Sequence, residues 1–367
     1  MKYSVLTLLA ASAALHGLAH SEMKTSAKIE EPMVRLQIFL DQKLFGPGKI
    51  DGRGGEFTNK ALKRYLLANG LPATGTPEEL PLETIDPVYT TYTIQQGDLK
   101  FIGDCPTTPQ EQAKVKYLPY DSLLEFLTER FHCAPEFLEA INPGVKLGRL
   151  KVGDMVTVPN VEPFKIEDLG EPGNIPEVPE FVNRVITVDT REKRLDLREG
   201  DKLIASLPIT PGSGSLPTPP GTWRIVGVAQ QPTFRWDKSV LMTGVRSETF
   251  YELPIGPNNP VGVMWIGLNK PGIGIHGTNN PQTIGRAASH GCMRTANWDT
   301  VRLSKLVTKG MTVIITGPSA PKRRAEPERR ANVAKVKERP VQKAIPIAQK
   351  APPAPAPAAP KKRFFFF

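Results

Sequence analysis

The chain has 367 residues with 37 prolines and 31 glycines, too long for one ordinary core and too punctuated for a single continuous fold, so two or three domains are expected. Its formal charge of +10 is carried entirely by the last fifty residues, where 13 Lys or Arg face 3 Glu, while the remaining 34 basic and 34 acidic residues balance. That balance excludes a uniformly basic folded body, and after the first residues no stretch is apolar and long enough to span a bilayer.

The N-terminus carries a basic start at Met1-Lys2-Tyr3, an apolar run from Ser4 to Leu15, and small residues at Gly17 and Ala19. The run is shorter than the ~20 residues a span needs, which reads as a cleaved signal peptide over 1–21 and an exported protein. Export changes the reading of Cys105, Cys133 and Cys292, since an oxidising compartment pairs spare thiols and an odd number leaves one over. By this arithmetic, Cys105 pairs with Cys133 and Cys292 stays reduced.

Residues 30–78 read as a small helical module. Leu36, Phe39, Leu40 and Leu44 fall at helical spacing, Gly46-Pro47-Gly48 ends that helix, and Ala61, Leu62, Tyr65 and Leu66 give a second stripe. Between them Ile50-Asp51-Gly52-Arg53-Gly54-Gly55 is a turn that needs positive φ at glycine. Residues 90–160 read as strand, helix, helix, strand. Tyr92 to Asp98 is a strand running into a turn, 122–130 and 135–141 are helices, and Gly153-Asp154 precedes a strand at 155–158. Residues 161–181 are Pro-rich and acidic without periodicity, a linker.

From 182 to 317 the pattern is mainly β. Short runs at 185–188, 194–197 and 203–209 are separated by polar turns, a strand follows Pro217-Thr218-Pro219-Pro220-Gly221-Thr222-Trp223, and Met264 to Leu268 and Gly274-Ile275 lead to His276. After Arg294, Asn297 is expected to cap a helix facing inward through Val301 and Leu306, stopped by Gly310 and followed by a strand at 312–316. The tail over 318–367 is Pro/Ala-rich and like-charged, cannot bury enough apolar area to order itself, and reads as disordered.

The chemistry concentrates in His276-Gly277-Thr278 and Ser289-His290-Gly291-Cys292-Met293-Arg294. A thiol is only a few per cent thiolate at neutral pH, so a nucleophilic Cys292 requires a base, and His276 and His290 are candidates. Gly291 permits a sharp turn that aims backbone amides at an oxyanion, and Arg294 can grip a carboxylate through two parallel hydrogen bonds. Zinc could take His, His and Cys, but the tight ligand pairs of zinc sites are absent, and neither a metal nor a cofactor is expected.

H-G-T followed by S-H-G-C-x-R resembles the signature of the L,D-transpeptidases with a YkuD-type catalytic domain. The resemblance implies a β-sandwich catalytic domain over 182–317 that cross-links peptidoglycan stem peptides by cysteine acyl transfer. In that scheme Cys292 is the nucleophile and His276 the base, with the Gly277 carbonyl as its orienter. His290 and the amides of Gly291 and Cys292 shape the oxyanion pocket, Ser289 orients His290, and Arg294 binds substrate. The turn at 217–223 resembles the family's P-T-P-x-G-x-aromatic segment. L-Q-x-x-L, P-G-x-I-D-G-x-x-G and G-L-x-A-T-G in the helical module resemble a peptidoglycan-binding domain. Y-x-I-x-x-G-D, L-x-x-I-N-P and L-x-V-G-D-x-V-x-V-P in the next resemble a LysM module, with an insertion of about twenty residues after Asp98. The implied partners are stem peptides and glycan strands in the periplasm or cell wall. The basic tail adds weak, salt-sensitive attraction to anionic wall polymers or membrane, and export argues against nucleic acid. Water as acceptor would make the same site a carboxypeptidase, and a protein lysine would make it a lipoprotein-attaching or releasing enzyme. A non-catalytic wall-binding protein is the rival from another class, and a papain-like protease lacks support from the residues flanking Cys292.

Overall fold

Helix α1 (Glu31–Gln42) carries Pro32 in its first turn, where a missing N–H costs nothing, and buries Val34, Ile38, Phe39 and Leu40. It also buries Gln37 and Asp41, because neighbours enclose it on more than the one apolar side. Helix α2 (Glu56–Ala68) packs Ala61 and Leu66 inward. Gln37 fixes the turn between them, donating from Nε2 to Asp51 Oδ1 at 2.9 Å and accepting at Oε1 from the Gly52 amide at 2.9 Å. Gly52 has φ +66°, and a Cβ there would lie 2.7 Å from Ile29, so only glycine fits. This computed structural model describes residues 29–286 and 290–317, which form part of one compact unit. The expected signal peptide, Ser289 and the basic tail lie outside them.

Strand β1 (Tyr89–Thr93) is followed by the short α3 (Pro109–Gln112), α4 (Leu123–Arg130), α5 (Pro135–Ala140) and β2 (Met155–Pro159). β1 and β2 pair antiparallel, Tyr92 opposite Val156, around α4 and α5 as the sequence suggests, with α3 as an extra short helix inside the insertion after Asp98. Ser122 caps α4 by accepting from the Glu125 amide at 3.1 Å. The insertion after Asp98 ends against the catalytic body, with the Leu118 amide donating to Ile255 O at 2.8 Å and Asn258 Nδ2 to Pro119 O at 2.7 Å. The disulfide expected from cysteine arithmetic is not formed. Cys133 is 1% exposed in the core beside Ile50, whereas Cys105 is a half-buried thiol whose amide is held by Asp121, so the two occupy separate environments.

Residues 161–181 are laid along the body. Phe164 and Ile166 are buried, Glu167 takes both Arg130 Nη atoms at 3.0 and 2.7 Å, and β3 (Gly173–Asn174) joins the main sheet.

That sheet is built from β3, β4 (Val185–Asp189), β5 (Arg194–Glu199), β6 (Lys202–Pro208), β7 (Gly221–Gln230), β10 (Met264–Leu268), β11 (Gly274–His276), β12 (Met293–Arg294) and β13 (Thr312–Thr316). Its order is β12-β11-β10-β7-β13-β4-β5-β6, with β3 alongside β7. The β7 strand spans both halves, pairing with β13 through residues 221–224 and with β10 through 225–230. One sheet therefore curls around a single core, in which Ile186, Leu195 and Leu207 from one end meet Ile266, Ile275 and Met293 from the other. Helix α7 (Asn297–Ser304) adds Leu303 to this core. A separate two-stranded hairpin, β8 (Phe234–Trp236) and β9 (Tyr251–Leu253), carries α6 (Lys238–Thr243) between its strands.

Two buried polar joints bind the helical module to the rest of the unit, one at the sheet edge and one at α7. At the exposed edge of β6 the segment 44–46 adds on, with the Gly46 amide donating to Ser206 O and the Ser206 amide to Leu44 O, both at 2.8 Å, which blunts an edge otherwise open to pairing. Beneath it Arg194, 1% exposed, donates to Gly46 O at 2.8 Å and Ser206 O at 2.7 Å, while Ser206 Oγ donates to Asp196, which also pairs with Arg64 at 3.0 Å. In the second joint Asp41 accepts from both Nη atoms of Arg302 at 2.9 Å and lies 3.0 Å from His132 Nδ1. Burial would raise the Asp41 pKa, but Arg302 and His132 outweigh it and hold the carboxyl well below the usual range.

Candidate active site

Strands β11 and β12 run parallel, Ile275 opposite Met293 and His276 opposite Arg294. Side chains alternate along a strand, and directly opposed residues point to the same face. Ile275 and Met293, both 0% exposed, enter the core. His276 and Arg294 therefore face the other way, and Cys292, two residues before Arg294, shares their face. Trp265 is opposite His276 across β10 and stacks on it, ring centroids 5.4 Å apart at 18°. Glycine makes room for that indole: a Cβ on Gly267 would lie 2.9 Å from Trp265 Nε1, and one on Gly274 2.7 Å from its Cζ2.

This face and the β8–β9 hairpin enclose a cavity of about 490 Å³ into which Cys292, His276, His290 and Arg294 open, with Trp265 on the sheet side and Trp236, Asp237 and Arg246 on the hairpin side. Gly291 has φ +104°, the left-handed turn that delivers Cys292 to the start of β12. Gly277 lies behind His276, and its carbonyl oxygen accepts from His276 Nδ1 at 2.6 Å. That bond puts the proton on Nδ1 and leaves the Nε2 lone pair for a proton in the cavity.

His276 is 4% exposed, and burial pushes its pKa down to about 4; the Gly277 carbonyl opposes this and Arg294 reinforces it. The Cys292 thiol donates to Gly272 O at 3.3 Å, and burial raises its pKa to about 11 against the pull of the Gly274 amide and Arg294. His290 is shifted down by partial burial and by Arg294. Arg294 is half-buried and, among the described residues, its guanidinium has no acidic ion-pair partner, while its backbone is held by Thr210 at 2.8 and 3.0 Å. Desolvation lowers its pKa. Asp237, the one carboxylate among the described lining residues, is occupied with the Ser239 amide at 2.9 Å and the Ser247 amide at 2.7 Å. The cavity thus presents a cation without a carboxylate partner among the described residues, together with a thiol and a neutral imidazole.

Ser289 was singled out by the motif and lies outside the described residues. Trp265, Thr210 and Asn297 were not given site roles by the motif; the glycines at 267 and 274, unusual inside strands, were the available sign that a large side chain lies across them. Among the described residues no group of three His, Cys, Asp or Glu is placed to hold a metal.

A curled β-sheet thus sets a cysteine, a histidine and an arginine on one face over a single cavity. A family model described as the YkuD L,D-transpeptidase catalytic domain matches residues 183–315. The chain is 31% identical over 193 residues to the putative L,D-transpeptidase YkuD of Bacillus licheniformis, covering 53% of this chain and 93% of that protein. It is 28% identical over 192 residues to its Bacillus subtilis namesake, covering 52% and 92%. A solved L,D-transpeptidase from Mycobacterium smegmatis is 17% identical with a TM-score of 0.30, the match spanning 37% of this chain and 59% of that one. This chain belongs to the YkuD family of L,D-transpeptidases.

Proposed function

We propose that the protein is a peptidoglycan L,D-transpeptidase that cross-links stem peptides. The observation that carries this reading is the convergence of Cys292, His276 and Arg294 from one sheet face into one cavity. With the thiol pKa near 11 and the imidazole near 4, the resting pair is neutral, not a thiolate and imidazolium. Proton transfer accordingly accompanies attack: Cys292 Sγ bonds to the carbonyl carbon of the third residue of a donor stem peptide as its proton passes to His276 Nε2. The Gly277 carbonyl steadies the imidazolium through Nδ1–H. The oxyanion is met by the Gly291 and Cys292 amides with His290. Collapse breaks the peptide bond, His276 returns the proton to the departing D-alanine amine, and a thioester remains. An acceptor amine attacks the thioester, His276 again takes and returns the proton, and the cross-link leaves with the thiol restored.

Arg294 grips a donor carboxylate, as its half-buried, unmatched charge favours. The helical and strand-helix-helix-strand modules hold glycan strands, and the exported enzyme works in the periplasm or wall, its basic tail adding salt-sensitive retention. Incubation with purified muropeptides and mass analysis tests the reaction: Cys292→Ala should fold and give no cross-links, and substantial cross-linking by that variant removes the assignment. Truncation after Gly317 tests the tail, which should weaken sacculus binding at low salt and leave turnover of soluble muropeptide unchanged.

A further inference from the structure

Asn297 stands where the sequence suggests a helix cap, yet Ala296 is the cap residue and the Asn297 side chain turns away from the helix end. It is 0% exposed, and its Oδ1 accepts from the Val263 amide at 3.2 Å. The same oxygen lies where two glycines leave space: a Cβ on Gly262 or on Gly277 would each be 2.0 Å from it. Two separate chain segments thus give up side chains to admit one amide. One of them, Gly277, supplies the carbonyl that accepts the hydrogen bond from His276 Nδ1–H. Beyond the β11 ladder, the backbone around it is held by Gly277 N to Met264 O at 3.2 Å and Thr295 N to His276 O at 2.9 Å.

We infer that Asn297 is a positioning residue for His276, acting through Gly277 to aim the carbonyl that keeps the imidazole proton on Nδ1. In a histidine-assisted cysteine site a side-chain acid or amide often orients the base. Here the orienter is a backbone carbonyl, whose direction depends on whatever fixes its peptide plane, and the Asn297 amide wedged against Gly262 and Gly277 does so. Without it the Gly277 peptide can rotate, the 2.6 Å bond is lost, and the proton redistributes between Nδ1 and Nε2. An imidazole protonated at Nε2 cannot take the Cys292 proton. The consequence for turnover rests on the transpeptidase reading; the consequence for the tautomer does not.

The test uses the full chain labelled with ¹⁵N-histidine and long-range ¹H–¹⁵N correlation, with the His276 signals assigned by their loss in His276→Gln. The wild-type protein should show a single Nδ1–H tautomer from pH 6 to 8. Asn297→Ala should show the two nitrogens averaging toward a mixture. Alkylation of Cys292 by iodoacetamide at pH 7, read by peptide mass mapping, should slow by about tenfold, the scale of a partly misplaced general base. Asn297→Asp keeps Oδ1 and the shape of the side chain and should hold the wild-type tautomer. If Asn297→Ala does not fold, Asn297→Ser is read by the same measurements. A folded Asn297→Ala or Asn297→Ser protein with the single Nδ1–H tautomer and the wild-type alkylation rate overturns the inference. Absence of cross-linking by the wild-type enzyme would instead count against the proposed reaction and leave the tautomer result to decide the role of Asn297.

Discussion

Glu129 on α4 gives the clearest quantitative handle on how the modules are joined. It is 5% exposed, its Oε1 has no hydrogen-bond partner, and its pKa is raised from 4.5 to about 8 by burial, with Tyr120 and Asn297 opposing and the nearby Glu125 carboxylate adding to the rise. In the unfolded chain this carboxyl loses its proton near 4.5, and in the folded protein near 8. Between those values the native state holds a proton that the unfolded state has lost, so stability falls as pH rises from 4.5 to 8 and then levels. At 1.36 kcal/mol per pKa unit the span corresponds to a ceiling of about 5 kcal/mol, and structural relaxation with water entry brings it to about 2–3 kcal/mol. Glu129→Gln removes the titration and keeps the shape. Thermal unfolding followed by circular dichroism should give nearly equal Tm values for the two proteins at pH 4.5. At pH 8.5 the variant should melt about 5 °C or more above wild type, taking roughly 2–4 °C per kcal/mol for a chain of this size. Parallel Tm curves across that range would refute the buried, protonated state of Glu129.

Other expectations follow from the site and the joints. Alkylation of Cys292 by iodoacetamide should keep accelerating past pH 9, because its pKa is pushed up to about 11; a plateau below pH 9 would show a thiol less buried than this one. Arg294→Lys should raise KM about tenfold for donors bearing the recognised carboxylate and change kcat little, since lysine keeps charge but loses the two-point grip; equal kinetics on donors with and without that carboxylate would remove Arg294 from recognition. Arg194→Ala leaves the Gly46 and Ser206 carbonyls without their buried donor and Asp196 without one nearby compensating charge, and should cost about 3–5 kcal/mol, read as a lowered denaturation midpoint; a loss under 1 kcal/mol would mean the joint is dispensable.

Local grammar was legible where partners are near in sequence. The stripe of Leu36, Phe39 and Leu40, the turn around Gly52, and the helix read over 122–130 follow from spacing and backbone requirements. The motif around Cys292 was legible because its glycines and titratable groups crowd into twenty residues, and the structure brings Cys292, His276, His290 and Arg294 to one cavity. What escaped depends on distant partners. Asp41 in α1 looks like a solvated helix residue until Arg302, 261 positions away, closes on it. Residues 161–181 show no periodicity, yet Phe164 and Ile166 are buried because the segment fills a seam and forms only a two-residue strand. The two-residue β12 is too short for alternation to register, although it places the whole site. Cysteine arithmetic failed because it counts thiols and knows nothing of the core around Cys133.

The most direct measurement is intact-protein and peptide mass analysis after mixing the enzyme with a defined donor tetrapeptide ending in D-alanine and an acceptor bearing a free amine. The account predicts one released D-alanine per turnover, a transient acyl adduct mapped to Cys292, and a peptide cross-link formed from the donor's third residue, all absent in Cys292→Ala. Cross-links formed without an adduct on Cys292, or an adduct that yields only hydrolysed donor at saturating acceptor amine, would contradict it.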